Sequence, residues 1–430
     1  MSRPTTVDAW LAYLETLHPK SIAMGLNRVR AVMANLDAPV TCPVVTVAGT
    51  NGKGSTCGML DSVLRCAGYA VGLYTSPHLV RYHERVRIQG REATDAELLT
   101  AFAAVEDARV ATTGAEGVPT PLTYFEFGTL AALWLFARAE LDALVLEVGL
   151  GGRLDAVNAV DATVAVLTGV AIDHVDYLGT TREEIGREKA GIFRAGRPAV
   201  CADPDPPASV IARADEIGAK LFRIGRDYGF VNEGTQWKYW GPGGERFGLP
   251  FPALRGAYQL NNAATVLATI DLLRGALPVR GGALREGLLT VELPGRFQVL
   301  PGRPVVVLDV AHNPHAAGVL ADELGTMGFS PVTIGVFGMF ADKDLAGVAA
   351  AMIPRIDRWF VAPLPGPRGA SVEAMRDTLV AAGVAAGALR VFPDIASAFA
   401  AARDIAGDTD RIVVFGSFLT VAAVLAATQR

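Results

Sequence analysis

Residues 46–56, TVAGTNGKGST, constrain the fold of this chain more than any other segment. They follow a β-branched run and precede an amphipathic segment, an order typical of a strand, a glycine loop and a helix. Glycines permit positive φ and close backbone approach, and a helix N-terminus supplies N–H donors for an anion. Lys53 adds a positive charge, and Ser55 has the kind of hydroxyl that holds magnesium. The segment predicts a phosphate-binding loop, although Gly54 departs from the strict P-loop spacing and the alternative is an ordinary tight turn before a helix.

The composition of the chain argues against several classes of protein. Its 430 residues predict two or three domains at roughly 150 residues each. The net charge is −5 with no long run of lysine or arginine, so we expect no nucleic-acid partner. No segment approaches about 18 uninterrupted apolar residues, so we expect no membrane span. The four cysteines form no CxxC pair, and these features together predict a cytoplasmic protein with reduced thiols.

Short apolar runs alternate with helical patterns along most of the chain, which predicts parallel sheets built from βαβ units. Strands are predicted at 44–48, 70–74, 143–147, 163–168 and 199–202 and, after a break near 293–304, at 305–308, 332–337, 359–362, 390–392 and 412–415. The fold class is therefore α/β, with an N-terminal P-loop-type, mostly parallel sheet flanked by helices and a smaller Rossmann-like α/β C-terminal domain. The predicted domains are 1–295 and 296–430. Residues 226–252 interleave aromatic, glycine and polar residues, and predict a small β excursion.

Polar residues follow several of the predicted strands, at the sheet edge where α/β proteins bind ligands. Glu147 ends one strand, Ser76 follows another and His174 follows a third. Together with Ser55 they offer oxygen and imidazole ligands for magnesium, which prefers hard oxygen donors and retained waters. Each has a simpler interpretation: Glu147 as the partner of an arginine such as Arg153, Ser76 as a turn residue, and His174 as a structural histidine.

Eight motifs lie along the chain, at 49–55, 76–79, 147–155, 188–192, 294–297, 309–315, 342–344 and 416–418. Taken together, they resemble those of the folylpolyglutamate synthases, within the Mur ligase superfamily. The likeness runs in order from about residue 13 to the C-terminus and is greatest to the bacterial bifunctional dihydrofolate synthase/folylpolyglutamate synthases.

The resemblance implies an ATP-dependent ligase that adds L-glutamate to dihydropteroate and to reduced folates through an acyl phosphate. It implies nucleotide contacts from both domains, so that the active site lies in an interdomain cleft. The implied ATP-binding residues are Thr50, Asn51, Gly52, Lys53, Gly54, Ser55, Asn262, Arg296, Asp309 and His312. The implied pterin- and folate-binding residues are Thr123, Phe125, Asp155 and Ala156; the alternative for Phe125 is core packing.

The resemblance also implies cofactors. Two Mg²⁺ ions would be held by Ser76, Glu147 and His174 with Ser55 nearby, and K⁺ is a further implied ion. The implied catalytic residues are Lys53, Lys189 and His174, with Lys189 carbamylated on its amine. Read from its charged helical neighbours alone, Lys189 is a solvated surface lysine. Members of this family are usually monomers, and we expect a monomer here.

Two other classes of function compete with this interpretation. A Mur ligase acting on a nucleotide-linked cell-wall precursor shares the phosphate loop, but it should carry an additional N-terminal domain, and only about forty residues precede the first predicted strand. A nucleotide-gated regulatory protein should lack the metal ligands, yet all are present here. One departure from the family pattern is Val157, where threonine is frequent; it removes a hydroxyl near the pterin segment.

Overall fold

The computed structural model describes residues 3–113, 117–256 and 258–428. These residues fold into two compact units. The N-terminal unit comprises 3–78, 82–113, 117–253 and 260–291, and the C-terminal unit comprises 79–81, 254–259 (except 257) and 292–428. Three short segments of the first predicted domain thus belong to the C-terminal unit: 79–81, the described part of 254–259, and 292–295. The assignment of functional domains to 1–295 and 296–430 stays a prediction.

The N-terminal unit is built on an eight-stranded sheet in the order β4-β3-β2-β5-β1-β6-β7-β8. Its strands are β1 Val44–Ala48, β2 Val71–Tyr74, β3 Val86–Ile88, β4 Arg91–Glu92, β5 Ala143–Glu147, β6 Val164–Leu167, β7 Pro198–Cys201 and β8 Lys220–Arg223. The pairs β2–β3 and β3–β4 are antiparallel, and the other strand pairs of this sheet are parallel. The mostly parallel sheet is confirmed, whereas β3, β4 and β8 lie outside the predicted strands because they are short and carry charged residues.

Helices cover this sheet. They are α1 Val7–Thr16, α2 Asn27–Met33, α3 Lys53–Cys66, α4 Asp95–Ala111, α5 Tyr124–Phe136, α6 Val175–Leu178, α7 Arg182–Lys189, α8 Ala208–Ile217, α9 Tyr258–Leu273 and α10 Gly281–Thr290, with 3₁₀ turns at Tyr82–Arg85, Ala156–Ala159 and Ala190–Ile192. The helix α3 packs on β1, β2, β5 and α10, while α1, α2 and α4 pack around α5. The β excursion is confirmed as an antiparallel sheet of β9 Gly229–Asn232, β10 Trp237–Gly241 and β11 Gly244–Leu249.

The C-terminal unit repeats the α/β plan on a smaller scale. Its sheet has the order β12-β13-β17-β14-β15-β16, with only β12 antiparallel. The elements are β12 Gln298–Leu300, β13 Val305–Leu308, β14 Thr333–Phe337, β15 Arg358–Val361, β16 Leu389–Val391 and β17 Arg411–Phe415, with α11 Pro314–Thr326, α12 Leu345–Met352, α13 Val372–Ala381, α14 Ile395–Ile405 and α15 Phe418–Thr428, and 3₁₀ turns at Ile353–Arg355 and Ala386–Ala388. The second α/β domain is confirmed.

Strand residues of this unit alternate between two apolar layers, as the pleat requires. Val307 and Phe337 pack with α11, α12 and α13, whereas Leu308 and Val336 pack with α14 and α15. The sheet is therefore buried on both faces by helices, which is typical of parallel sheets.

No described helix combines the length and the apolar character needed to span a bilayer. All four cysteines are free, and Cys57 and Cys201 are buried.

Candidate active site

Glycines shape the loop that follows β1. Gly49 has a φ of +149° and Gly52, which precedes α3, has a φ of +85°. An added Cβ on Gly49 would lie 1.9 Å from the Thr168 hydroxyl oxygen, so the close approach requires glycine. Thr168 follows β6, and its hydroxyl donates to the Asn51 carbonyl over 2.7 Å. The loop is thus tied to the end of the neighbouring parallel strand.

Two lysines converge on one carbonyl of this loop. Lys53 Nζ donates to Gly49 O over 3.1 Å and to Thr50 O over 3.2 Å. Lys189 Nζ donates to the same Gly49 oxygen over 2.9 Å, and Lys189 is only 4% exposed. The surface interpretation of Lys189 is therefore wrong. Burial and then the charge of Lys53 lower the pKa of the Lys189 amine to about 7.

The first turn of α3 brings further polar groups to the loop. Gly54, Ser55 and Thr56 are all buried. The Thr56 hydroxyl has no hydrogen-bonding partner among the described residues. Asn262, on α9 of the same unit, is buried at 1% exposure.

The predicted metal ligands lie at the carboxyl ends of parallel strands. Glu147 ends β5 and is 4% exposed, and its Oε2 accepts the Ser76 N–H over 3.0 Å. Arg153 pairs with Glu188 over 2.7 Å, so it does not neutralise Glu147. His174 has a left-handed backbone with φ of 52° and precedes α6.

The donor set at this edge of the sheet fits magnesium. No cluster of three or more His, Cys, Asp and Glu side chains suited to a metal occurs among the described residues. A site here would instead combine one carboxylate, serine hydroxyls and waters. Mg²⁺ binds proteins through one or two carboxylates while it keeps several waters. The juxtaposition of Ser76 and Glu147 fits that chemistry.

The predicted pterin segment is a capped helix start. Thr123 Oγ1 accepts the Glu126 N–H over 3.2 Å, and Glu126 Oε2 accepts the Thr123 N–H over 2.8 Å. Arg28 pairs with Glu126 over 2.8 Å. Phe125 is half-buried against Gly149, where an added Cβ would lie 2.7 Å from its ring. Thr123 therefore has a structural role beside any ligand contact.

Asp155 is a buried carboxyl with backbone donors. Its Oδ1 accepts the Val157 N–H over 3.0 Å, and its Oδ2 accepts the Leu150 N–H over 2.9 Å. Burial raises the pKa of Asp155 to about 7, against the lowering effect of these hydrogen bonds. Ala156 follows and is 3% exposed. The pair lies on the segment that follows β5, the strand that ends at Glu147.

In the C-terminal unit, a second group of predicted residues gathers around an aromatic ring. The Arg296 guanidinium lies 4.9 Å from the centroid of Phe418, and the His312 ring lies 6.0 Å from it. Asp309 follows β13 and accepts the Phe297 N–H over 2.8 Å. Cationic, aromatic and carboxylate groups are thus assembled here, as a base and ribose would require.

Known proteins place the chain in a family. It is 46% identical to the dihydrofolate synthase/folylpolyglutamate synthase of Escherichia coli strain K12 over 418 residues, which are 97% of this chain and 94% of that protein. The chain belongs to the dihydrofolate synthase/folylpolyglutamate synthase family. The resemblance inferred from the sequence is therefore confirmed. Residues 93–270 match the Mur ligase middle domain, and residues 295–418 match the Mur ligase glutamate ligase domain.

Solved structures from the family agree with the fold. An E. coli FolC structure in complex with DHPP and ADP is 45% identical and aligns with a TM-score of 0.92, covering 99% of this chain and 98% of that chain. A bifunctional folylpolyglutamate synthase/dihydrofolate synthase with Mn, AMPPNP and L-glutamate bound is 46% identical, with a TM-score of 0.89 and the same coverage.

Three residues that lie beside predicted site residues are not singled out by the sequence. Thr168 is not among the predicted site residues, although it directly follows a predicted strand. Asp173 accepts the His174 N–H over 2.8 Å, and its position beside a predicted metal ligand is the signal that could have found it. Arg85 is buried beside the pterin segment. Its burial has no sequence signal, since it lies in a charged stretch typical of a surface loop.

Proposed function

We propose that this chain is an ATP-dependent ligase that joins L-glutamate to dihydropteroate, giving dihydrofolate, and adds further glutamates to reduced folates. The observation that carries the proposal is the match to relatives of that activity over nearly the whole chain. The convergence of a glycine loop, two lysines and a buried glutamate at one sheet edge supports it.

The proposed reaction proceeds in two steps. A substrate carboxylate oxygen attacks the γ-phosphorus of ATP, which breaks the bond to the β-phosphate and releases ADP. The glutamate amine then attacks the acyl carbon, phosphate leaves, and the amine loses a proton. A carboxylate oxygen is a poor leaving group, and phosphorylation makes it a good one. Lys53 and the loop N–H groups orient the phosphates and offset their charge.

The ATP-binding residues of the proposal belong to both units. Thr50, Asn51, Gly52, Lys53, Gly54, Ser55 and Asn262 lie in the N-terminal unit, and Arg296, Asp309 and His312 lie in the C-terminal unit. Phe418 provides an apolar face beside Arg296 and His312.

Ser76, Glu147 and His174, with Ser55, would hold magnesium, in our proposal two ions. Magnesium held by these residues would neutralise phosphate charge and polarise the transferring phosphoryl group. The hydrogen bond from the Ser76 N–H holds the Glu147 carboxylate at the carboxyl end of β5. We also propose K⁺ as a further bound ion.

Lys189 is the proposed site of carbamylation. A neutral amine attacks carbon dioxide, forms the nitrogen–carbon bond and loses a proton, so that a cation becomes an anion. The lowered pKa of Lys189 supplies neutral amine near pH 7. The negative carbamate would then sit beside the proposed metal ligands.

Thr123, Phe125, Asp155 and Ala156 form the proposed pterin site. The Phe125 ring offers a face for stacking, and Asp155 retains acceptor capacity for a ring N–H after its two backbone hydrogen bonds. Val157 lies next to this site and is the first candidate for an altered preference between substrates. We further propose a cytoplasmic monomer.

The test is phosphate release from ATP with Mg²⁺ and L-glutamate, with dihydropteroate and tetrahydrofolate assayed separately. Release with both substrates is the expected result. Release with tetrahydrofolate alone would leave a monofunctional polyglutamate synthase. Release with neither, from a folded protein that binds ATP, would contradict the proposal and favour a Mur ligase or a regulatory protein.

A further inference from the structure

Arg85 differs from the other buried arginines in its partners. Three arginines of the described residues are less than a tenth exposed: Arg85 at 9%, Arg109 at 7% and Arg411 at 6%. Arg109 makes a two-point hydrogen bond to the Glu106 carboxylate. The guanidinium of Arg411 donates to two backbone carbonyls and a serine hydroxyl. No described carboxylate or carbonyl oxygen accepts from the Arg85 side chain.

The partners that Arg85 does have leave its charge uncompensated. Its Nε donates to His78 Nδ1 over 2.8 Å. Its charge lies 5.6 Å and 5.5 Å from the ring centroids of Tyr82 and Tyr124, and it contacts the Tyr74 hydroxyl. Aromatic faces attract a cation more weakly than a carboxylate does. A buried charge is normally paired, so this one lacks its anion.

The surroundings hold the guanidinium in one orientation. An arginine N–H can only donate, so His78 Nδ1 is the acceptor. This hydrogen bond fixes the Nε side of the Arg85 guanidinium. The Arg85 carbonyl accepts the Thr75 N–H over 2.9 Å, which ties its backbone to the end of β2. The two terminal nitrogens therefore remain for a ligand, with the Tyr74 hydroxyl as their described neighbour.

Arg85 lies between two parts of the proposed site, the pterin segment and the segment 76–78. Tyr124, which faces its guanidinium, lies between Thr123 and Phe125 of the pterin segment. Tyr74 ends β2, two residues before Ser76, and its ring centroid lies 6.0 Å from that of Phe125. An anion on Arg85 would thus lie beside the pterin residues on one side and the Ser76–His78 segment on the other.

We propose that Arg85 binds a carboxylate of the pteroyl substrate, with His78 as the residue that positions its guanidinium. This inference rests on the proposed function. Dihydropteroate carries a carboxylate on its benzoyl ring, and reduced folates carry glutamyl carboxylates. A planar guanidinium matches a carboxylate through two parallel hydrogen bonds.

The test compares each acid with its amide, in ADP and Mg²⁺ so that no turnover occurs. The probes are dihydropteroate and its carboxamide, and tetrahydrofolate and its α-carboxamide. Wild type should bind the acid of at least one pair about ten- to a hundredfold more tightly. Arg85→Gln should lose that preference while it keeps its affinity for the amide. Arg85→Lys should keep part of the preference, because it retains the charge without the fork.

The pair that loses its preference identifies the carboxylate that Arg85 binds. Arg91→Gln is the matched control, because Arg91 lies nearby in the chain, on β4, and already pairs with Glu97; its preference should equal that of wild type. A variant at Arg85 that retains the wild-type preference in both pairs would overturn the inference. Arg85→Lys decides the question if Arg85→Gln does not fold. Wild type that binds none of the four probes would instead contradict the proposed function.

Discussion

At the scale of single residues, burial changes what a side chain can do. Lys53 and Lys189 donate to the same carbonyl of Gly49, so their ammonium groups repel each other at close range. Burial and then the charge of Lys53 lower the pKa of Lys189 to about 7. Lys189 can therefore supply the free amine that the proposed carbamylation needs.

We expect Lys53→Ala to lower phosphate release about a hundredfold or more, because it removes a charge that acts on the transferring phosphoryl group. The melting temperature should stay close to that of wild type, since the loop keeps its ties to Thr168. Steady-state phosphate release and thermal unfolding measure the two effects. Lys220→Ala, at an exposed position of β8, is the control. Turnover of Lys53→Ala at the wild-type rate would exclude the phosphate-binding role.

Carbamylation of Lys189 should depend on pH. Only the neutral amine reacts, and a pKa of about 7 makes most of it neutral at pH 8, unlike an ordinary lysine with a pKa of 10.5. With ¹³C-bicarbonate, wild type should show a carbamate resonance at pH 8 that is lost as the pH falls through about 7. Lys189→Arg should lack it. If no Lys189-dependent resonance appears at pH 8, Lys189 is not modified.

At the scale of elements, the same capping box begins three of the described helices, α4, α5 and α7. Thr94 caps α4 and Thr123 caps α5, each with a glutamate three residues on. The spacing of Thr94 and Glu97 in the sequence predicts the cap of α4. Thr123 and Glu126 have the same spacing, so the cap of α5 can be predicted in the same way.

We expect Thr123→Ala to lower the free energy of unfolding by about 1 kcal/mol, since it removes the cap of α5. Thr123→Ser should keep most of this stability. Thr94→Ala is the matched control: it should cost a similar amount while the KM for dihydropteroate stays at the wild-type value. If Thr123 also contacts the pterin, Thr123→Ala raises that KM. Equal KM values for the two alanine variants would limit Thr123 to capping.

Much of the architecture follows from local pattern. Buried parallel strands such as β1 and β5 consist of apolar, β-branched runs, and the sequence shows them directly. The strand β3 and the partners of Arg85 cannot be predicted from the local sequence, because they depend on contacts between distant segments. For the same reason Lys189 could be identified only through family resemblance: burial comes from the tertiary fold, whereas its helix carries a surface pattern.

At the scale of the whole molecule, each unit has apolar cores of its own. In the N-terminal unit, Trp10, Phe102 and Phe127 form one aromatic centre. In the C-terminal unit, Phe337 and Phe415 lie 5.0 Å apart between ring centroids. All the proposed pterin residues belong to the N-terminal unit. Ligands that reach only this site should therefore stabilise one unit selectively.

We expect calorimetric unfolding in two transitions, because each unit encloses its own apolar core. Dihydropteroate at about a hundred times its dissociation constant should stabilise the N-terminal unit by about 2.7 kcal/mol and raise only that transition. Phe415→Leu removes a buried ring from the C-terminal unit. It should lower the free energy of unfolding of that unit by about 1–3 kcal/mol. The transition whose midpoint temperature falls in this variant is therefore that of the C-terminal unit. A single transition that shifts as a whole with the ligand and with Phe415→Leu would show that the two cores unfold as one cooperative body.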